Sequence, residues 1–131
     1  MTNSYAIWAR CITLVAASLM ALPLHAELLE KTVNVSGTAV HYKVVLPNGY
    51  DRTKAYPAIL AFGGGPQNMG TVDSILTRNF RDEAEKRGYI VVAPAAPDGQ
   101  LFFENGARIF PEFLKRILSD YKIQDNKFHI A

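Results

Sequence analysis

Apolar and polar residues alternate in the first part of the chain that carries a clear pattern. Val40, Tyr42 and Val44 occupy every second position, and residues 27–35 alternate more weakly. A period of two is typical of a half-buried strand, and the Ser-Gly-Thr sequence at 36–38 is typical of a turn. The pattern predicts an antiparallel hairpin.

Three later runs are almost entirely apolar: residues 57–62, 89–93 and 128–131. Short unbroken apolar runs fit strands that are covered on both faces, as in a parallel sheet. Segments rich in Pro, Gly, Asn and Asp predict turns or loops. They are residues 47–51, 94–99 and 124–126.

Two segments have apolar residues at helical spacing. The first lies within residues 72–87, and Gly88 suits the position just past its end. The second begins near Pro111, which is tolerated in a first helical turn. The predicted buried faces are Val72, Ile75, Leu76, Phe80 and Ala84 in the first helix, and Phe110, Phe113, Leu114, Ile117, Leu118 and Tyr121 in the second.

The predicted order is therefore hairpin, strand, helix, strand, helix, strand. Alternating strands and helices define the α/β class, with a parallel sheet and right-handed crossovers. Ligands of such sheets bind outside the carboxyl ends of the strands. The loops at 63–70 and 94–99 occupy those positions and are the first places to look for chemistry.

The first 26 residues have the pattern of a secretory signal. Arg10 is their one charged residue, a short apolar run follows at 11–22, and the small residue Ala26 suits cleavage. The run is shorter than the roughly 20 residues of a membrane span. We therefore expect residues 27–131 to be secreted or periplasmic, without stable membrane insertion; a retained anchor is the alternative.

The composition excludes several classes of function. The chain has 131 residues, enough for one small domain, and its 14 basic and 12 acidic residues are scattered. Nothing indicates a nucleic-acid partner. The single cysteine, Cys11, lies in the predicted signal, so a thiol nucleophile, a disulfide and a cysteine metal site are excluded for residues 27–131.

The loop after the 57–62 run begins with Gly63-Gly64-Gly65-Pro66. Glycines let a backbone approach a ligand closely, and Gly64 and Gly65 are the candidate N–H donors because Pro66 has no N–H. A dinucleotide fingerprint would need glycine at Asn68, and a phosphate loop would need lysine at Thr71. No cofactor is predicted. A plain turn between strand and helix remains the alternative.

Residues 42–51 lead into 56–65, and 84–94 follow. In order and spacing these segments resemble the N-terminal half of α/β hydrolases, especially the feruloyl-esterase and polyhydroxybutyrate-depolymerase-like branch. The resemblance covers residues 38–131, and it implies that residues 27–131 form the N-terminal part of a doubly wound hydrolase sheet.

The same resemblance implies an oxyanion-binding role for Gly64, and for Gly65 beside it. Many members have histidine before the glycines, where this chain has Phe62. The strand at 128–131 resembles the one that leads to the nucleophile in Gly-x-Ser-x-Gly. We therefore expect the catalytic Ser, Asp or Glu, and His beyond Ala131, and little activity from these 131 residues alone.

No residue of the chain substitutes for that triad. Neither Ser36 nor Ser119 has the flanking glycines of an exposed nucleophile, and the remaining serine beyond the signal is Ser74. His41 and His129 are interpreted as structural, and their spacing gives no metal site.

Two loop residues are candidate substrate contacts, Gln67 and Asp98. The competing interpretations are an exposed polar loop residue for Gln67 and a turn-forming Asp before Gly99.

The sequence favours an exported serine hydrolase that acts on a small-molecule or polymer ester. The alternatives are a small exported ligand-binding module without catalysis and a peptidase of the same fold. An apolar strand at the sheet edge also predicts that the chain is marginally stable or aggregates alone.

Overall fold

The computed structural model describes residues 27–131. The predicted signal, with Arg10, Cys11 and Ala26, lies outside the described residues. The strands are β1 (Glu27–Val35), β2 (Thr38–Leu46), β3 (Tyr56–Leu60), β4 (Ile90–Pro94) and β5 (Ile123–Ile130), and the helices are α1 (Met69–Ile75), α2 (Arg81–Arg87) and α3 (Phe110–Asp120). The remaining helical elements are two π-helical turns, Leu76–Phe80 and Phe102–Gly106.

Strands β1 and β2 form the predicted antiparallel hairpin, with Val33 opposite Val40. Ser36 (φ 50°) and Gly37 (φ 84°) both have positive φ, as the two-residue hairpin turn that matches strand twist requires. The Gly37 N–H also donates to Asn34 Oδ1 at 2.9 Å. The turn residues therefore fix the register in which the apolar faces of both strands coincide.

The five strands form one sheet in the order β1-β2-β4-β3-β5. β3 is parallel to both β4 and β5, whereas β2 is antiparallel to β4. The predicted parallel sheet is confirmed for its three later strands, and the hairpin extends it on one side.

Helices cover both faces of this sheet, as the unbroken apolar strands predict. Ile90 and Val92 of β4 pack in the cluster that contains α3, and Val91 and Ala93 pack in the cluster that contains α1 and α2. Successive strand residues point to opposite faces, so every residue of β4 is buried.

The first predicted helix begins at Met69, three residues before Val72, where its apolar pattern begins. Asn68 caps it, because Asn68 Oδ1 accepts the Thr71 N–H at 2.9 Å. The helix ends at Gly88 with φ 73°, which confirms the predicted C-terminal glycine.

The predicted turn at 124–126 is wrong, because these residues lie inside β5. Asp125 (φ 55°) and Asn126 (φ 52°) adopt left-handed conformations, and the pairing of β3 with β5 shifts between Tyr56 and Ala58. Asp and Asn tolerate such conformations better than most residues. The strand bulges at this point and continues instead of reversing.

The C-terminal part of β5, residues 128–130, is less buried than the apolar run at 128–131 predicts. Within residues 27–131 it pairs with β3 alone, and Ile130 is 68% exposed. A strand is buried only where neighbours cover it, and the sequence pattern does not reveal its place in the sheet. In this part of the chain no helix has the length and apolar character needed to cross a bilayer.

Candidate functional site

The two loops singled out by sequence meet at the carboxyl ends of β3 and β4. The Gln67 N–H donates to the Gln100 carbonyl at 2.8 Å, and the Ala96 N–H donates to the Gln67 carbonyl at 2.8 Å. The expectation that both loops share one edge of the sheet is therefore confirmed.

Each glycine of the Gly63-Gly64-Gly65 sequence has its own structural setting. A Cβ on Gly63 would lie 2.4 Å from Thr71 Cγ2, so a side chain there would clash with α1. Gly65 has φ +87°, which L residues rarely adopt. A Cβ on Gly64 would meet no atom within 4 Å. The loop thus packs closely at Gly63 and faces open space at Gly64.

The backbone N–H groups of the loop also differ, because that of Gly63 has a hydrogen-bond partner and those of Gly64 and Gly65 do not. The Gly63 N–H donates to Gln67 Oε1 at 2.9 Å. Gly64 and Gly65 are exposed, and no atom of residues 27–131 accepts a hydrogen bond from either N–H. Two adjacent free donors can hold an anion or the developing negative charge of a reacting carbonyl. The oxyanion-binding role of Gly64 and Gly65 stays a prediction.

Gln67 is buried, with 1% of its surface exposed, so its interpretation as an exposed loop residue is wrong. Its Oε1 accepts the Gly63 N–H, and its Nε2 donates to the Pro94 carbonyl at 3.0 Å. The side chain therefore ties the glycine loop to the end of β4. A substrate contact through this amide would require it to leave those partners.

Asp98 forms a turn, as the competing interpretation held. Its Oδ1 accepts the Gln100 N–H at 3.0 Å, its Oδ2 accepts from Asn105 Nδ2, and Gly99 follows with φ 71°. The Gln100 N–H, and then the Asn105 amide, hold the pKa of the exposed Asp98 carboxyl below its usual value. The carboxylate thus fixes residues 98–105 as one loop.

Sequence reasoning missed an aromatic cluster beside the glycine loop. The Phe62 ring lies 5.0 Å from Phe102, 5.5 Å from Phe103 and 6.2 Å from Phe110, measured between ring centroids. Phe103 is 73% exposed. The available signal was the apolar triplet at 101–103, which follows a loop and fits neither strand nor helix periodicity.

A cavity of about 140 Å³ opens between this cluster and the glycine loop. Its lining residues are Phe62, Gly63, Gly65, Gln67, Leu101, Phe102 and Phe103. Aromatic side chains and two glycines of the loop, Gly63 and Gly65, therefore line the same small volume.

The serines and histidines set aside on sequence grounds lie in different parts of the fold. Ser36 lies in the hairpin turn and Ser119 lies in α3. His41 Nδ1 shares a hydrogen bond with Thr32 Oγ1 at 2.9 Å across the hairpin, and His129 lies on β5. Among residues 27–131, no three His, Cys, Asp or Glu side chains form a cluster that could hold a metal ion.

Comparison with known proteins gives relatives of two kinds. Dipeptidyl-peptidase 5 of Porphyromonas gingivalis is 51% identical over 51 residues, which are 39% of this chain and 7% of that protein. A ferulic acid esterase structure matches with a TM-score of 0.61 at 18% identity, covering 82% of this chain and 49% of the esterase. The feruloyl esterase module of Clostridium thermocellum matches with a TM-score of 0.57 at 22% identity, covering 77% of this chain and 38% of the module.

No protein-family model matches the chain. At these identities the structural matches establish the fold, and the neighbours are α/β hydrolases. The chain has part of the α/β-hydrolase fold, with a mixed five-stranded sheet and helices on both faces. It spans less than a tenth of the dipeptidyl peptidase and less than half of either esterase chain.

Proposed function

We propose that this chain supplies the oxyanion-binding part of an exported serine hydrolase that acts on carboxylic esters. The observation that carries the proposal is the pair of exposed N–H groups on Gly64 and Gly65 at the carboxyl end of β3. Donors that are fixed before the reaction stabilise a developing oxyanion without reorganising during it. The buried Gln67 amide provides that fixation.

In the proposed reaction a serine oxygen attacks the ester carbonyl while a base takes the serine proton. The carbonyl oxygen becomes an oxyanion against the two N–H groups, the alcohol leaves with a proton, and water then releases the acid. The sequence contains no Gly-x-Ser-x-Gly. The serine, acid and base would therefore come from chain outside these residues, which alone would have residual activity at most.

The structural likeness to two feruloyl-type esterases supports the ester substrate. The local identity to dipeptidyl-peptidase 5 favours a second candidate, a peptidase of the same fold. Both reactions develop negative charge on a carbonyl oxygen, so the same two donors serve either one.

The first experiment is to sequence the reading frame beyond codon 131 in the source DNA. A continuation with Gly-x-Ser-x-Gly directly after Ala131 would provide the nucleophile. A stop codon there, combined with a stable folded product, would instead favour the ligand-binding module.

A matched pair of substitutions at Gly64 tests the donor role in the complete gene product. Gly64→Pro removes the N–H, whereas Gly64→Ala keeps it and places a Cβ in open space. We expect Gly64→Pro to lower kcat by about 10²- to 10³-fold with little change in KM, the usual loss for one oxyanion donor. Gly64→Ala should stay within about threefold of the parent, because it keeps that donor.

The assay compares 4-nitrophenyl esters with dipeptidyl 4-nitroanilides. Ester turnover that falls with Gly64→Pro supports the esterase, and the same loss on the anilide alone supports the peptidase. Equal kcat in the two Gly64 variants, at unchanged unfolding midpoints, would refute the donor role.

Export is tested by N-terminal sequencing of the protein recovered outside the cytoplasm, where we expect Glu27 to be the first residue.

A further inference from the structure

Thr71, in the first turn of α1, contacts both ends of the glycine loop. Its Oγ1 donates a hydrogen bond to the Pro66 carbonyl at 2.8 Å. Its Cγ2 methyl occupies the space beside Gly63, since a Cβ on Gly63 would lie 2.4 Å from that methyl. One side chain of the helix therefore restricts the loop at both of these positions, and Gly64 and Gly65 lie between them.

The Thr71 hydroxyl has two acceptors within reach, and the distances favour the Pro66 carbonyl. The Thr71 oxygen lies 2.8 Å from that carbonyl oxygen and 3.4 Å from Asn68 Oδ1. A typical O–H···O hydrogen bond is about 2.7 to 2.8 Å long, and a hydroxyl has one proton to donate. Asn68 Oδ1 also accepts the Thr71 backbone N–H at 2.9 Å. The hydroxyl proton is therefore assigned to the Pro66 carbonyl.

A run of glycines is flexible unless other residues fix it. Glycine lacks the Cβ that restricts other residues, so Gly64 and Gly65 have a wide choice of backbone conformations. Both are exposed, and no atom of residues 27–131 accepts a hydrogen bond from either N–H. Donors that stabilise an oxyanion efficiently are oriented before the reaction. The orientation of these two N–H groups therefore depends on the residues that flank them, which Thr71 contacts on both sides.

The Thr71 hydroxyl differs from the Gln67 amide in what its loss does to stability. The Gln67 side chain is buried, so its removal leaves buried polar groups without partners. Pro66 is exposed, so water can replace the hydroxyl on its carbonyl. Loss of the hydroxyl should therefore release this end of the loop while the fold keeps its stability. The role of Thr71 can thus be measured separately from folding.

We propose that Thr71 is a positioning residue of the reaction, which acts through the Pro66 carbonyl to orient the Gly64 and Gly65 N–H groups. The residue acts through the loop and not by contact with the ester. Its effect on turnover rests on the proposed function. Its effect on the order of the loop does not, because fixing the two amides requires neither a nucleophile nor a substrate.

Two substitutions in the complete gene product separate the hydroxyl from the methyl. Thr71→Val keeps a methyl beside Gly63 and removes the hydroxyl, whereas Thr71→Ser keeps the hydroxyl and removes the methyl. With a 4-nitrophenyl ester, we expect Thr71→Val to lower kcat by about two- to tenfold, the equivalent of one neutral hydrogen bond, and to leave KM unchanged. Thr71→Ser should restore the kcat of the parent. Thr77→Val makes the same change at an exposed threonine farther along the chain and should change neither constant.

Amide NMR of the ¹⁵N-labelled protein measures the order of the loop without turnover. We expect Thr71→Val to lower the order parameters of the Gly64 and Gly65 N–H groups from about 0.85, the value of rigid backbone, towards about 0.6. Thr71→Ser and Thr77→Val should leave these order parameters unchanged. All three variants should keep the unfolding midpoint of the parent, because none of them leaves a buried polar group without a partner.

An active parent whose kcat is unchanged by Thr71→Val would overturn the proposal and leave the proposed function intact. Equal losses of kcat in Thr71→Val and Thr71→Ser would overturn it as well, because they would assign the effect to the methyl. A loss that appears in KM instead of kcat would place the effect in substrate binding and would also count against it. Lower order parameters in Thr71→Val, together with no turnover by the parent, would refute the proposed function and leave the fixation of the loop by Thr71 intact.

Discussion

Gln67 connects the two loops of the candidate site through a single buried amide. Within residues 27–131 it is the one buried polar or charged residue, and both of its amide atoms have partners. A buried polar group costs stability unless it is hydrogen-bonded, so this side chain keeps its position only while Gly63 and Pro94 keep theirs. The positions of the exposed Gly64 and Gly65 N–H donors therefore depend on Gln67, whose own side chain is buried.

Replacing Gln67 with leucine removes both hydrogen bonds while keeping a similar volume. The Gly63 N–H and the Pro94 carbonyl then lose their partners, and we expect the free energy of unfolding to fall by about 2 to 4 kcal/mol. Urea unfolding measures the loss. Gln124→Leu, at an exposed glutamine on β5, is the control and should change stability by no more than about 0.5 kcal/mol. Similar effects of the two substitutions would contradict the role assigned to Gln67.

Asp98 gives the loop at 98–105 a pH dependence. The Gln100 N–H and the Asn105 amide lower its pKa from the usual 3.8. The contribution of this carboxylate is therefore fully present above pH 3.8 and is lost as the pH falls through the lowered pKa. We expect the Asp98 carboxyl ¹³C signal and the Gln100 amide proton to titrate together with a midpoint below 3.8.

Asn105→Ala removes one of the causes of that shift in pKa and should move the Asp98 midpoint back towards its usual value. An Asp98 midpoint at or above that value in the parent protein would show that the carboxylate does not hold the loop.

The first predicted helix, which the structure forms as α1, a π-helical turn and α2, illustrates how far periodicity predicts an element. Val72, Leu76 and Ala84 are buried as predicted, because residues four apart share a helix face. The π-helical turn at Leu76–Phe80 leaves no mark in that spacing. The cap at Asn68 also precedes the first apolar position, so the pattern alone begins the helix too late.

At the end of this helix, Gly88 has φ 73° and open space around its missing Cβ. Alanine there would strain the backbone without a clash, and we expect a loss of about 1 kcal/mol in thermal unfolding. Gly64→Ala is the control, because Gly64 also has open space but lacks the left-handed conformation. Its effect should stay within about 0.5 kcal/mol. An equally large effect at Gly64 would mean that backbone strain is not the cause at Gly88.

For the whole molecule, local sequence predicted the order of elements and the meeting of two loops at one edge of the sheet. It did not predict the burial of Gln67, because the partner carbonyl of Pro94 lies 27 residues away along the chain. The Phe62 cluster was missed for the same reason, since its rings come from three separate segments. This cluster also gives Phe62 a physical role at the position where many α/β hydrolases of the resembled branch have histidine, because its ring packs against three other phenylalanines.

The position of β5 decides how a polypeptide of residues 27–131 behaves in solution. β5 pairs with β3 on one side only, and Ile130 is 68% exposed beside its free edge. A free edge with an exposed apolar side chain is a template for pairing with a second chain. We therefore expect self-association that increases with protein concentration, measured by sedimentation velocity.

Ile130→Lys should reduce this self-association, because a charge at a strand edge opposes further pairing. Leu101→Lys removes an exposed apolar residue outside the strands, and an equal reduction by this substitution would show that β5 is not the associating surface.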